Sequence, residues 1–394
     1  MSTWPLSALG DLFEIARGGS PRPIDAFITD EPGGINWIMI SDASEGSKYI
    51  TGTKKRIRKE GISRSRMVHP GDFLLTNSMS FGKPYIMQTS GCIHDGWLVL
   101  KQRRDNVDAD FFYHLLGSRA IYSEFERRAA GATVKNLNID LVRGVQVILP
   151  PLSEQRRIAE VLDKVEDLRS KRRTALTQCD TLNQSIFLEM FGDPVTNPKK
   201  WTTAKFGNVC ERITVGIVVK PASYYRPSGI PALRSLNIKP GNIILEDLVY
   251  FSKEDNEARL AKTRLRVSDL VLVRSGQPGT AAVVPPELDG VNAIDLLIAT
   301  PFPAKCDPTY LCAFFNSQGG RTIVLSSQRG QVQKHLNVGS LSEAAIPLPP
   351  IDLQREFARR LAAVEKLKTA HRAALVELDA LFASLQYRAF RGEL

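Results

Sequence analysis

Residues 153–190 contain neither proline nor glycine, and apolar side chains recur there every three or four positions: Ile158, Leu162, Val165, Leu168, Leu176, Cys179, Leu182 and Ile186. Residues 352–390 repeat the pattern with Phe357, Leu361, Val364, Leu367, Leu375, Leu378, Leu381 and Leu385. This spacing predicts two long amphipathic helices with a coiled-coil seam. Each follows a proline pair, Pro150-Pro151 or Pro349-Pro350; Ser153, Glu154 and Asp352 are start signals, and Gly192-Asp193-Pro194 and Gly392 are stops. Arg172 and His371 interrupt the stripes at matching positions. Either a long stem snorkels at a helix crossing, or a polar pair pins antiparallel register.

The matching is general. Residues 149–162 (LPPLSEQRRIAEVL) align with 348–361 (LPPIDLQREFARRL), 131–139 with 330–338, and 108–118 with 307–317, all at an offset of 199. Earlier, Asp72–Ser78 aligns with Asp269–Ser275 at 197, and Trp4 with Trp201, so a short indel separates the copies. The chain reads as a tandem duplication, each copy a Trp-led α/β segment feeding a long polar helix. A helix of 38 residues is about 57 Å long, whereas a domain of about 150 residues is roughly 40 Å across. The second segment joins the end of one helix to the start of the next, so antiparallel packing is the arrangement it can bridge. The expected fold is α+β: two similar α/β domains (1–150 and 193–350) separated by a two-helix antiparallel coiled coil (151–192 and 351–394), with pseudo-two-fold symmetry.

Charge changes the picture next. Of the formal +10, the segments 1–150 and 193–350 carry +3 and +5, the helical segments 0 and +2, so an anionic partner is expected on the globular heads. The five cysteines form no C-x-x-C pair, which reads as reduced cytosolic thiols with no metal site, and no apolar run approaches a membrane span. A soluble, cytoplasmic protein is expected. Catalytic motifs are missing: no [NDS]-P-P-[YFW] loop, no [DE]-x-K triplet, no phosphate-binding loop and no G-x-S-x-G elbow. The chain reads as non-catalytic, with no cofactor.

Two inverted heads on one rod match the way dimeric proteins address two half-sites of duplex DNA about 34 to 36 Å apart. The densest basic stretch, Lys54, Lys55, Arg56, Arg58, Lys59, Arg64 and Arg66, is either a solvated surface or a set of phosphate contacts. For base readout the candidates are Thr133, Lys135 and Asn136 in the first copy, and Gln331, Gln333, Lys334 and His335 in the second, in loops that could equally be turns capping the core strands of Leu137 and Leu336. Arg274, Ser275 and Gln277 stand against Asn77, Ser78 and Ser80, different donors at one position. Arg17 and Lys220, beside Gly18-Gly19 and Gly216, are candidates for approaching a phosphate, though an ordinary turn explains them too; Arg234 completes the set.

At these residues the chain resembles the specificity (S) subunits of type I restriction-modification systems. The resemblance rests on LPPLSEQRRI (149–158) and LPPIDLQR (348–355), on Gly-x-x-x-x-x-Leu-Asn (131–138 and 330–337), and on Gly-Asp-Phe-Leu-Leu (71–75) with Ser-Asp-Leu-Val-Leu (268–272). It implies two target-recognition domains on double-stranded DNA, a coiled coil that docks two methyltransferase (M) subunits, and assembly with motor-nuclease (R) subunits. Docking would fall to Gln155, Arg156, Arg157, Gln354 and Arg355. The second copy departs from the first at Leu353 and Phe357, where the first has Glu154 and Ile158. The competing reading is an adaptor that binds DNA without sequence preference.

Overall fold

The computed structural model of the chain describes residues 4–43, 46–77, 82–129, 136–326 and 335–394. It forms two compact units, one of residues 1–174 with 372–394, the other of residues 175–371. Both boundaries fall inside the long helices, Leu152–Phe191 and Ile351–Ala389. Each compact unit therefore holds one head together with part of both long helices. The reason is packing, as the helix ends belong to the cores of the heads.

In the first unit a five-stranded sheet has the order Phe13–Arg17, Trp97–Gln102, Phe73–Thr76, Pro84–Met87, Tyr49–Ile50. Its central strands are apolar on both faces. Phe73, Leu75, Leu98 and Leu100 face a helical layer containing Phe111, Phe112, Leu115 and Phe125, and into this core Ile158, Ala159 and Leu162 of the first long helix and Ala389 of the second also insert. Leu74, Trp97 and Val99 face the other way, toward Ile38, Val68 and Ile93 of a second sheet ordered Lys55–Ile57, Ile35–Ile38, Gly91–Ile93, Arg66–Val68. Alternation at period two thus builds three layers. The second unit repeats the plan. Leu270, Leu272, Leu297 and Ala299 face Tyr310, Leu311, Phe314 and Phe315 together with Phe187, Phe191 and Phe357 of the long helices. Val271, Val273, Leu296 and Ile298 face Leu233 and Ala293.

One fixture recurs at the head of each long helix. Gln155 is fully buried: its Oε1 accepts the N–H of Asp108 at 2.8 Å, and its Nε2 donates to the carbonyls of Asn106 (2.9 Å) and Pro150 (2.8 Å). Gln354 is also fully buried, accepting from Asp307 N–H at 2.9 Å and donating to Pro349 O at 2.7 Å and Lys305 O at 3.5 Å. Asp108 and Asp307 in turn cap the helices Ala109–Leu116 and Pro308–Asn316 through their carboxylates. The first long helix ends at Gly192, whose φ of +80° is the left-handed turn that a helix stop favours.

Within each unit the two helical segments run antiparallel. In the first, Arg157 donates to Leu394 O at 2.9 Å and Arg169 to Asp379 at 2.6 Å. In the second, Lys368 meets Asp180 at 2.8 Å and Asn183 donates to Glu365 at 3.4 Å. Arg169 and Lys368 are repeat equivalents, and each also pairs with a glutamate one turn back, Glu166 or Glu365. Burial works against the charge of Lys368, yet its hydrogen bonds to Asp180 and Glu365 hold its pKa above the ordinary lysine value. These clips place cross-helix charge pairs at equivalent positions of the two copies. The seam is also narrower than the sequence suggests: Leu168, Leu182, Leu367 and Leu381 are 47%, 44%, 48% and 46% exposed. With only two helices to pack, an apolar stripe of this width cannot be covered all round. All five cysteines are free and buried. Among the described residues no helix is long and apolar enough to cross a membrane.

Candidate nucleic-acid interface

Each head gathers polar side chains where its central strands end. In the first, the strand Phe13–Arg17 runs into Gly18, whose N–H donates to Trp97 O at 2.9 Å, and Gly19, whose N–H donates to Ile93 O at 3.1 Å. A Cβ on Gly18 would lie 2.1 Å from His94 O, so only glycine fits this crossing. Asp95 is the hub. Its carbonyl accepts from Arg17 Nε (3.0 Å) and Asn77 Nδ2 (2.8 Å), and its carboxylate accepts from Ser20 Oγ at 2.8 Å. The Ser20 hydrogen bond, acting against partial burial, holds the Asp95 carboxyl below its ordinary pKa. Next to it His94 is kept toward the neutral form by burial and accepts the N–H of Gly96 at 2.9 Å, a turn-stabilising role. Leu137 N–H donates to Asn77 O at 3.0 Å, which brings exposed Asn136 to the same end.

The second head builds the equivalent end with other residues. Gly216 N–H donates to Leu296 O at 2.8 Å, and a Cβ there would lie 2.4 Å from Ala293 O. Arg274 Nη1 binds the Asp295 carboxylate and its Nε donates to Leu336 O at 3.3 Å, while Leu336 N–H returns a bond to Arg274 O at 3.1 Å. Ser275 Oγ and His335 Nδ1 are 2.8 Å apart. Arg274, Ser275 and His335, drawn from segments sixty residues apart in sequence, are thus assembled into one site. Gln277 is exposed in the adjoining turn, and Lys220 is exposed with φ +43° at the start of a short helical turn.

The basic stretch is a continuous exposed surface. Lys55 and Arg56 lie on the edge strand Lys55–Ile57, with Lys54 and Arg58 flanking it. Among the described residues none of Lys54, Lys55, Arg56, Arg58, Lys59, Arg64 and Arg66 pairs with a carboxylate; Arg66 donates to Arg17 O at 2.9 Å, tying this surface to the polar end of the head. Such unneutralised cations are what phosphate binding requires.

Other expected residues lie differently. Arg234 is half-buried, its backbone N–H bonded to Asn237 at 2.9 Å and its guanidinium to Asp247 O, so it braces a short helical turn. Gln155 and Gln354 have no exposed surface to offer a partner; their amides are consumed inside the heads. Arg156 is exposed, Arg157 is paired with Glu154, and Arg355 is exposed, 3.9 Å from Asp352. Thr133, Lys135, Gln331, Gln333 and Lys334 lie outside the described residues, as do Ser78 and Ser80. Asp95 and Asp295, which organise the two ends, are not among the candidates that the sequence supplies; each stands just ahead of the last long strand of its copy, Trp97–Gln102 or Leu296–Pro301.

Residues 1–178 match the family model described as the type I restriction modification DNA specificity domain. Over nearly its full length the chain is similar to named members of one class. It is 24% identical to the type I restriction enzyme EcoBI specificity subunit of Escherichia coli, covering 92% of this chain and 80% of that one. With the EcoKI specificity subunit of Escherichia coli strain K12 it shares 22% identity over 99% of this chain and 89% of the other. In three dimensions it matches a chain from a type I R-M system solved in work on complex assembly and conformational transition (TM-score 0.63, 19% identity, 99% and 98% coverage), and the type I S subunit of M. genitalium (TM-score 0.55, 14% identity, 98% and 96% coverage). The chain is therefore similar in sequence to type I specificity subunits along nearly its whole length, and it has the fold of the solved ones.

Proposed function

We propose that this protein is the DNA-recognition subunit of a type I restriction-modification complex, reading a split, asymmetric target with one half-site per head. The observation that carries the reading is the like construction and unlike chemistry of the two polar ends. The same strand ends present Arg17 and Asn136 in one head and Arg274, Ser275 and His335 in the other, with Asn77 buried behind the first as a brace. Identical scaffolds with different donors are what two different half-sites demand. The exposed cations at 54–66 supply sequence-independent attraction to phosphate in the first head.

The helices dock two methyltransferase subunits, a role supported by the repeated exposed leucines Leu168, Leu182, Leu367 and Leu381. A groove of about 460 Å³ beside the first helix, lined by Asp108, Asp110, Glu160, Asp163 and Asp167 with Arg156 and Lys164, repels phosphate and suits a basic protein partner. Motor-nuclease subunits complete the assembly, and this chain contributes no catalytic group. The test is the methylation pattern of the host genome: deleting the gene removes one split motif. Replacing the first head by that of a relative changes one half of the motif only. Loss of no motif, or sequence-blind binding of DNA by the assembled complex, leaves the adaptor reading in its place.

A further inference from the structure

The loop that leaves the first strand of each head is built on one pattern of hydrogen bonds and carries opposite chemistry at its tip. Gly18 and Gly216 each donate to the first residue of the long strand, at Trp97 O and Leu296 O. Gly19 and Ile217 each donate to the end of the second sheet, at Ile93 O and Ala293 O. A cation followed by proline, Arg22-Pro23 or Lys220-Pro221, then leads into the short helical turns Ile24–Ala26 and Pro221–Tyr224. Between these anchors the first head has Ser20 and Pro21, and the second has Val218 and Val219.

In the first head the tip is used by the fold: Ser20 Oγ bonds the Asp95 carboxylate at 2.8 Å, and Pro21 is buried. In the second, Arg274 occupies the corresponding Asp295 carboxylate and the tip is released. Val218 and Val219 are 49% and 74% exposed, and neither belongs to any apolar cluster of the unit. The loop lies beside the Arg274–Ser275–His335 site, because Asp295 N–H donates to Ile217 O at 3.1 Å while its carboxylate holds Arg274. Two adjoining β-branched side chains are thus held in water between Lys220 and a set of hydrogen-bonding groups. Against a polyanion, the apolar feature that the major groove offers such a tip is the C5-methyl group of thymine.

We infer that Val218 and Val219 read a thymine methyl group in the half-site bound by the second head, a discrimination that the first head lacks. The inference rests on the proposal that the heads bind DNA. It is tested with the full complex, after the target has been identified from its methylation motif, by replacing each thymine of the second half-site with uracil, which removes only the methyl. At one or two positions the intact complex should lose affinity about fourfold, the worth of one methyl-sized apolar contact. Val219→Ser and Val218→Ser should bind the thymine target more weakly and no longer distinguish it from uracil at that position. Uracil in the first half-site should change nothing at this tip. A half-site without thymine, a uracil scan without loss, or a loss undiminished in both variants overturns the inference. Failure of the underlying reading looks different: the intact target would not be preferred over random duplex at all.

Discussion

The two heads are fastened to the long helices by different physics. In the second unit the fastening is aromatic: Phe187 and Phe191 of the first helix, Phe357 of the second and Tyr310 of the head lie with ring centroids 4.8 to 6.0 Å apart. The first unit keeps the Phe111–Phe390 contact at 5.7 Å, but Gln386 and Ile158 stand where Phe187 and Phe357 stand in the second. It adds a polar network in compensation. Lys48 binds Asp110 at 2.6 Å and Asp163 at 3.0 Å, His114 Nε2 lies 2.6 Å from Asp163, and Gln386 donates to His114 O at 3.1 Å. The repeat equivalents of His114 and Asp163 in the second unit are Ala313 and Ala362. One topology is thus closed by apolar area in one place and by partly desolvated charge in the other. The first is indifferent to pH and salt, while the second is conditional on both.

The aromatic side of the comparison breaks most heavily. Phe357→Ala should cost about 3 to 5 kcal/mol by opening a cavity among four rings. In denaturant melts with hydrogen exchange, the loss should be confined to amides of the second unit; equal loss in the first would show that the fastenings are not separate. Gln354→Leu comes next, at about 2 to 3 kcal/mol, because it strands the Asp307 N–H and two carbonyls in a buried place. Gln155→Leu should match it in the first unit, and a neutral result in either would sink the claim that these glutamines close the fold.

The polar fastening should yield less, about 1 to 2 kcal/mol for Asp163→Ala, and more in low salt than in high. Its pH dependence has a definite sign. Burial opposes the Asp163 charge, but hydrogen bonds from His114 and Lys48 hold its pKa below the ordinary value. Its contribution is therefore present above about pH 4 and lost as pH falls through the folded value. Burial likewise opposes the charge of Lys48, whose hydrogen bonds to Asp110 and Asp163 raise its pKa, so its contribution is full below about pH 10 and lost as pH rises through the folded value. Acid melts should loosen the first unit before the second in the wild type, and in Asp163→Ala that difference should shrink. The smallest effect belongs to Leu168→Ser and Leu367→Ser, within about 0.5 kcal/mol of wild-type stability. Their cost should fall on capture of the methyltransferase subunit in pull-down, and unchanged capture would remove these leucines from the docking surface.

Much of this was readable in the chain. The duplication, the helix bounds and the antiparallel run of the helices follow from periodicity, proline placement and the reach of a domain. Gln155 and Gln354 show where reading stops: the family resemblance marked them, but as contacts for a partner, because a sequence records that a polar residue recurs and not whether water reaches it. Asp95 escaped for a related reason. It works largely through its backbone carbonyl, which every residue possesses. The four half-exposed leucines share the spacing of buried ones, and only the number of neighbouring helices tells them apart.

The glutamine fixture has a consequence for how such a molecule can change. Every hydrogen bond of the Gln155 side chain ends within residues 106–150, and every one of the Gln354 side chain within residues 305–349. Each head brings its own latch to the helix it sits on. A foreign head spliced in just ahead of the glutamine need supply only a few main-chain groups in the right place, and these are independent of the side chains that read DNA. The latch makes the head a cartridge: its contents can be exchanged while the holder and its fitting stay the same.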